Sequence, residues 1–139
     1  MPGAIEMNIY LDSCITIYLV ESHPSLAIPI QERLLLQEQK VILWTDLTRM
    51  EARIKPLREN NLSQLSQYDQ FFSARQTRKI EINTPVFELA TEIRATHGLK
   101  TPDALHLATA IHATCDEFWT NDFRLAKAAA QRINIVTFN

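Results

Sequence analysis

The chain has 139 residues, 46% apolar and 22% charged, which is the composition of a soluble globular protein and the length of one domain spanning 1–139. Its only glycines, Gly3 and Gly98, leave no material for a Walker loop or a GxGxxG nucleotide loop. The two distant cysteines, Cys14 and Cys115, argue against a zinc cluster or a disulfide framework and fit a reducing cytoplasm. A formal net charge of −2 gives no general attraction for polyanions, so contacts with nucleic acid must come from local patches or bound metal.

No lysine or arginine precedes Arg33, so the basic start of a signal peptide is missing. The early apolar run from Ile9 to Val20 is broken by Asp12 and is too short to span a bilayer. Asn8 to Leu11 reads as a short strand that stops at Asp12, and a helix begins near Ile15. Leu26 to Gln39 has helical character, and Val41 to Trp44 is an apolar run of strand length. From Asp46 the apolar residues Leu47, Met50, Ile54 and Leu57 recur at helical spacing, with Pro56 expected to bend or end the helix.

After a break at Asn60-Asn61, Leu62 to Ala74 is a polar helix and Lys79 to Ile82 a third strand. Pro85 and Gly98 bracket a helix over Val86 to His97. Thr101-Pro102-Asp103 opens another, whose body from Ala104 to Ala113 is apolar on nearly every side and therefore buried. Glu117 to Thr120, Phe123 to Gln131 and Asn134 to Phe138 read as strand, helix and strand. Strands alternating with helices predict an α/β fold with a mostly parallel central sheet covered on both faces. In such sheets ligands bind beyond the carboxyl ends of the strands.

Acids gather at that edge. Asp12, Glu51 and Asp122 follow strand exits, and Asp103 lies in the first turn of the buried helix. Each has an ordinary explanation alone: Asp12 as a turn former, Glu51 in a capping box with Thr48, Asp103 opposite a helix dipole, Asp122 as an N-cap. Two of the positions are costly, however. Glu51 is flanked by Leu47 and Ile54 on the apolar stripe, and Asp103 opens a helix with little free surface. Converging carboxylates repel unless a divalent cation neutralises them, and hard oxygen donors favour Mg²⁺ or Mn²⁺, the ions of phosphodiester hydrolysis. Asp116 is a rival for the fourth acid but precedes its strand.

Ile9-Tyr10-Leu11-Asp12-Ser13, Thr45 with Glu51 six residues on, Asp103-Ala104-Leu105-His106-Leu107-Ala108, and Trp119-Thr120-Asn121-Asp122 together resemble the successive motifs of PIN domains. The size of the chain is most similar to the VapC-type toxins of toxin–antitoxin pairs, which are Mg²⁺-dependent ribonucleases. The resemblance implies a PIN-like three-layer α/β/α sandwich and a metal held by Asp12, Glu51, Asp103 and Asp122. It also implies RNA cleavage by metal-activated water, homodimerisation and inhibition by a cognate antitoxin. One departure stands out: Cys14 occupies a place where the family often carries asparagine.

Around the acids, Ser13 and Thr120 offer hydroxyls to support metal-bound water or the carboxylates, with turn hydrogen bonding the plainer use. Thr45 divides between site support and helix capping. Arg124 is well placed for a phosphate, while Arg49 and Arg53 reach one from the helix of Glu51 or simply line its solvated face. His106 reads as a core histidine satisfied by a neighbour. The early aliphatic helix, with Leu34 to Leu36, serves core packing, an antitoxin groove or a dimer contact. The leading expectation is a metal-dependent endoribonuclease; the alternative is a non-catalytic RNA-binding or protein-interaction module on the same fold.

Overall fold

The computed structural model describes residues 6–139, and its first strand, β1 (Met7–Leu11), lies at the middle of the sheet. The chain then forms helices α1 (Ser13–Val20) and α2 (Ala27–Leu35) before β2 (Lys40–Trp44). Two more helices, α3 (Asp46–Arg58) and α4 (Leu62–Phe72), lead to the edge strand β3 (Thr77–Lys79). Helices α5 (Thr84–His97) and α6 (Thr101–His112) return the chain to β4 (Glu117–Trp119), and α7 (Phe123–Ala129) connects to β5 (Asn134–Val136).

The five strands are all parallel, in the order β3-β2-β1-β4-β5. Ile9 pairs with Ile42 on one side and Glu117 on the other. Burial on both faces explains why β1 and β2 are continuous apolar runs and not alternating ones. Tyr10, Val41, Leu43 and Phe118 pack under α5, α6 and α7, while Ile9, Leu11, Ile42 and Trp119 pack under α1 and α2. A third cluster, Trp44, Ala52, Tyr68 and Phe72, joins α3 and α4 to the second face. The result is the three-layer α/β/α arrangement with the chain reversing its direction of travel between β1 and β4, the switch point at which such sheets open a crevice.

Several local expectations are corrected. The third strand falls earlier than Lys79 to Ile82: Thr77–Lys79 makes the ladder, and Ile80 and Ile82 tuck against the core after it. On α3 the stripe of Met50, Ile54 and Leu57 faces outward, at 46–56% exposure; Thr48, Ala52 and Pro56 are buried in its place. Pro56 sits inside the helix, which ends two residues later. On α2 only Ala27, Ile30 and Leu34 point inward, leaving Leu35 and Leu36 about three-quarters exposed. Among the described residues no helix is long and apolar enough to cross a membrane.

Candidate active site

Asp12 leaves the end of β1 and caps α1, its Oδ1 accepting the Ser13 backbone N–H at 2.9 Å. The carboxylate is buried, and its Oδ2 accepts from the Thr120 hydroxyl, 2.7 Å away. Thr120 follows β4, the strand next to β1, and its oxygen also accepts the backbone N–H of Asp122 at 3.1 Å. One hydroxyl therefore fixes the separation of two of the acids. Cys14 lies against Asp12 as well, with Sγ 3.6 Å from Oδ2; burial, then the Asp12 charge, pushes its thiol up to about 12. At neutral pH it is a protonated weak donor and not a nucleophile.

Glu51 comes from α3, one layer away. The capping box of this helix pairs Thr45 with Thr48, leaving Glu51 two turns in and free of any capping duty. Its Oε1 accepts the Ser13 hydroxyl at 2.7 Å and lies 2.6 Å from His106 Nε2. Burial pushes the carboxyl up, but the hydrogen bonds from His106 and Ser13 outweigh it and hold the group below its ordinary value. His106 in turn is almost fully buried on α6, with Nδ1 2.7 Å from the Tyr10 hydroxyl. A neutral ring satisfies both ends when Nε2–H donates to Glu51 and Nδ1 accepts from Tyr10. The histidine is satisfied as the sequence suggested, yet the neighbour it serves is a site carboxylate. A β1 residue, an α6 residue and an α3 residue are thus joined in one chain of hydrogen bonds. The signal available in the sequence was His106 standing one turn after Asp103, on the same face of α6.

Asp103 is half-buried in the first turn of α6, and among the described residues its carboxyl accepts no hydrogen bond. Its pKa is raised, first by burial and then by the charges of Asp12, Asp122 and, more weakly, Glu51. The four acids therefore do share one electrostatic environment, although they come from four separate places in the chain. Asp122 caps α7, Oδ1 accepting from Arg124 N and Leu125 N at 2.9 and 3.2 Å. With Asp103, Leu99, Lys100, Phe123 and Arg124 it lines an open depression of about 320 Å³. Among the described residues no three His, Cys, Asp or Glu side chains already converge as the ligands of one ion. The donor set is nonetheless hard oxygen throughout, the type that suits Mg²⁺ or Mn²⁺.

Asp116 does not reach this edge. It binds the backbone of Asn8 from the opposite end of the strands, Oδ2 accepting Asn8 N at 2.7 Å. Thr45 is fully buried as the α3 N-cap, its hydroxyl occupied by the capping box with Thr48. Arg49 and Arg53 turn toward Asp69 of α4, at 3.4 and 4.0 Å, while Arg124 lies in the depression beside Asp122.

The PIN domain family model matches residues 9–131 of this sequence, a span that contains all four acids. The chain belongs to the PIN domain family. This PIN domain superposes on VapBC2 from Rickettsia felis, in complex with promoter DNA, with a TM-score of 0.79 at 17% identity, covering 96% of this chain and 100% of that one. A toxin–antitoxin complex from Klebsiella pneumoniae gives 0.70 at 24% identity, covering 93% and 96%. VapC20 from Mycobacterium tuberculosis, a toxin that cleaves the sarcin-ricin loop, gives 0.71 at 15% identity, covering 90% and 96%. No curated protein sequence matches the chain.

Proposed function

We propose that this PIN domain is an Mg²⁺- or Mn²⁺-dependent endoribonuclease and the toxin of a toxin–antitoxin pair. The observation that carries the reading is geometric: Thr120 ties Asp12 to Asp122, Ser13 touches both Asp12 and Glu51, and Asp103 shares one depression with Asp122. Such a concentration of like charge at a ligand-binding edge is costly unless a cation is bound there. Asp12, Glu51, Asp103 and Asp122 would hold the ion, which when bound supplies Lewis acidity toward a phosphate and lowers the pKa of water.

The protein's own contribution is orientation. Thr120 and the Ser13 N–H hold both oxygens of Asp12, so this carboxylate cannot swing away. Ser13 and His106 present Glu51 in the ionised form. Asp103 accepts no such bond among the described residues, and burial, then the charges of Asp12 and Asp122, hold its carboxyl above the usual carboxylate value. Arg124 stands at the rim where a scissile phosphate enters. The toxin–antitoxin complexes among the structural neighbours support a cognate antitoxin as partner, and the cytoplasm is the proposed site of action. By the same likeness to VapC toxins, a homodimer is proposed as the working form.

Purified protein should cleave single-stranded RNA when Mg²⁺ or Mn²⁺ is added and stop when the ion is chelated. Asp12→Asn and Asp103→Asn should each abolish cleavage while leaving the circular-dichroism spectrum unchanged. Metal-dependent cleavage persisting in both variants refutes the assignment. Absence of Mn²⁺ binding by calorimetry, with tight binding of RNA, would instead identify a non-catalytic module.

A further inference from the structure

Six of the fourteen lysines and arginines are held in ion pairs: Arg33, Arg49, Arg53, Lys55, Lys79 and Arg132. Arg94 and Lys40 instead donate to backbone carbonyls. Of the remainder, Lys100, Arg124 and Lys127 cluster on one surface, and among the described residues none has an acidic partner. That surface is concave. The depression holding Asp103 and Asp122 is bounded by Lys100 and Arg124, and Arg124 also lines a second depression of about 510 Å³ with His97, Gly98 and Lys127. Among the described residues no acid lines the second depression. Phe123, 82% exposed, stands on the lip between Asp122 and Arg124.

We propose that this continuous groove, between the end of α5, the start of α6 and α7, is the track along which a single RNA strand leaves the acidic edge. Lys100, Arg124 and Lys127 neutralise successive phosphates, and Phe123 stacks an unpaired base. The inference rests on the nuclease reading for the identity of the polyanion but adds the route and its residues. Phosphate contacts of this kind position a strand without reading its sequence. An exposed aromatic ring beside a basic groove is the means by which single strands are held irrespective of base. An acidic peptide would explain the cations but not the exposed ring beside them. The basic residues of α3 differ from those of the groove in that Arg49 and Arg53 share an acidic partner, Asp69.

The test measures binding of a short fluorescein-labelled single-stranded RNA by anisotropy in EDTA, so that no cleavage is needed, over a range of salt. Each phosphate contact contributes about 0.7 to the slope of log K against log salt for a single strand. Lys127→Gln should lower the slope by about 0.7 and weaken binding about fivefold at 0.1 M salt; Lys100→Gln combined with Lys127→Gln should lower it by about 1.4. Phe123→Ala should weaken binding about tenfold with the slope unchanged. Arg75→Gln removes an equally exposed charge outside the groove and should leave the slope as it was.

An unchanged slope in the double variant overturns the track, as do equal losses from Arg75→Gln or no binding of RNA by the unaltered protein. If poly-glutamate binds with the same dependence on Lys100 and Lys127 while RNA does not, the groove is a protein-docking surface and the proposal fails. The two readings separate cleanly: RNA bound along the track but never cleaved with Mn²⁺ sinks the nuclease alone. Cleavage with unaltered salt slopes in the lysine variants sinks the track alone.

Discussion

Replacing His106 by alanine breaks the hydrogen-bonded chain from Tyr10 to Glu51 at its centre. Three costs combine. The bond between Nε2 and the Glu51 carboxylate, 2.6 Å long and 1% exposed at the histidine end, belongs to the class worth about 1.5 to 3 kcal/mol. The fully buried Tyr10 hydroxyl loses the Nδ1 partner at 2.7 Å, at about 1 kcal/mol or more. The space vacated by the imidazole adds about 1 kcal/mol as an unfilled cavity. A total of about 3 to 5 kcal/mol corresponds to a fall in Tm of roughly 10 to 15 °C for a domain of this size. Thermal unfolding followed by circular dichroism measures it, and His106→Gln, which can still donate toward Glu51, should recover part of the loss. A second readout isolates the link to the site. With His106 gone, only Ser13 is left to offset the burial of Glu51, so its carboxyl should titrate at higher pH in a carbon-detected NMR titration. In the unaltered protein the depressed Glu51 value means that its stabilisation is complete above the ordinary value of 4.5 and fades as pH falls through the lower folded value. A Tm within about 3 °C of the parent, together with an unmoved Glu51 titration, would refute the reasoning.

Asp103→Asn should stabilise the fold slightly, by the order of 0.5 kcal/mol typical of partly exposed charges and measurable in urea denaturation, because the ionised acid is opposed by burial, Asp12 and Asp122. The matching pH effect runs the other way from Glu51: the penalty is present above the raised folded pKa of Asp103 and is relieved as pH falls through it, visible as a flattening of the parent's stability curve that the Asn variant lacks. Thr120→Val keeps the shape but removes the hydroxyl that holds Asp12 at 2.7 Å; a loss of about 1.5 kcal/mol in urea denaturation is expected, together with reduced affinity for Mn²⁺ by calorimetry. Gly98→Ala should cost about 1 kcal/mol purely from its positive φ of 67°, since a Cβ there meets no atom within 4 Å; a neutral result by chemical denaturation would contradict that account.

The parts of the fold legible in the sequence were those with strong local punctuation. Pro85 and Gly98 bracket α5, and Gly98 does close it in the left-handed conformation. The buried body of α6 followed from its unbroken apolar composition. The outward face of α3 did not, because its inward face is built from Thr48, Ala52 and Pro56, small or polar residues that hydrophobic periodicity passes over. Glu51 nevertheless reaches the edge, by a polar route and not through the apolar stripe that first drew attention to it. The short edge strand β3 was misplaced since its apolar neighbours Ile80 and Ile82 follow the pairing segment. His106 and Asp12 are 94 positions apart along the chain, so their connection through Ser13 needs the assembled sheet and is absent from any local pattern.

Asp122 has two employers. One of its oxygens closes the first turn of α7, a helix of only seven residues with little cooperative strength of its own, while the carboxylate also contributes to the field at Asp103. Arg124 and Lys127 ride on that same short helix. Whatever engages the acid therefore pulls on the platform carrying the basic side chains, so that the amide protons of Arg124 and Leu125 become gauges of occupancy, readable by hydrogen exchange without any turnover at all.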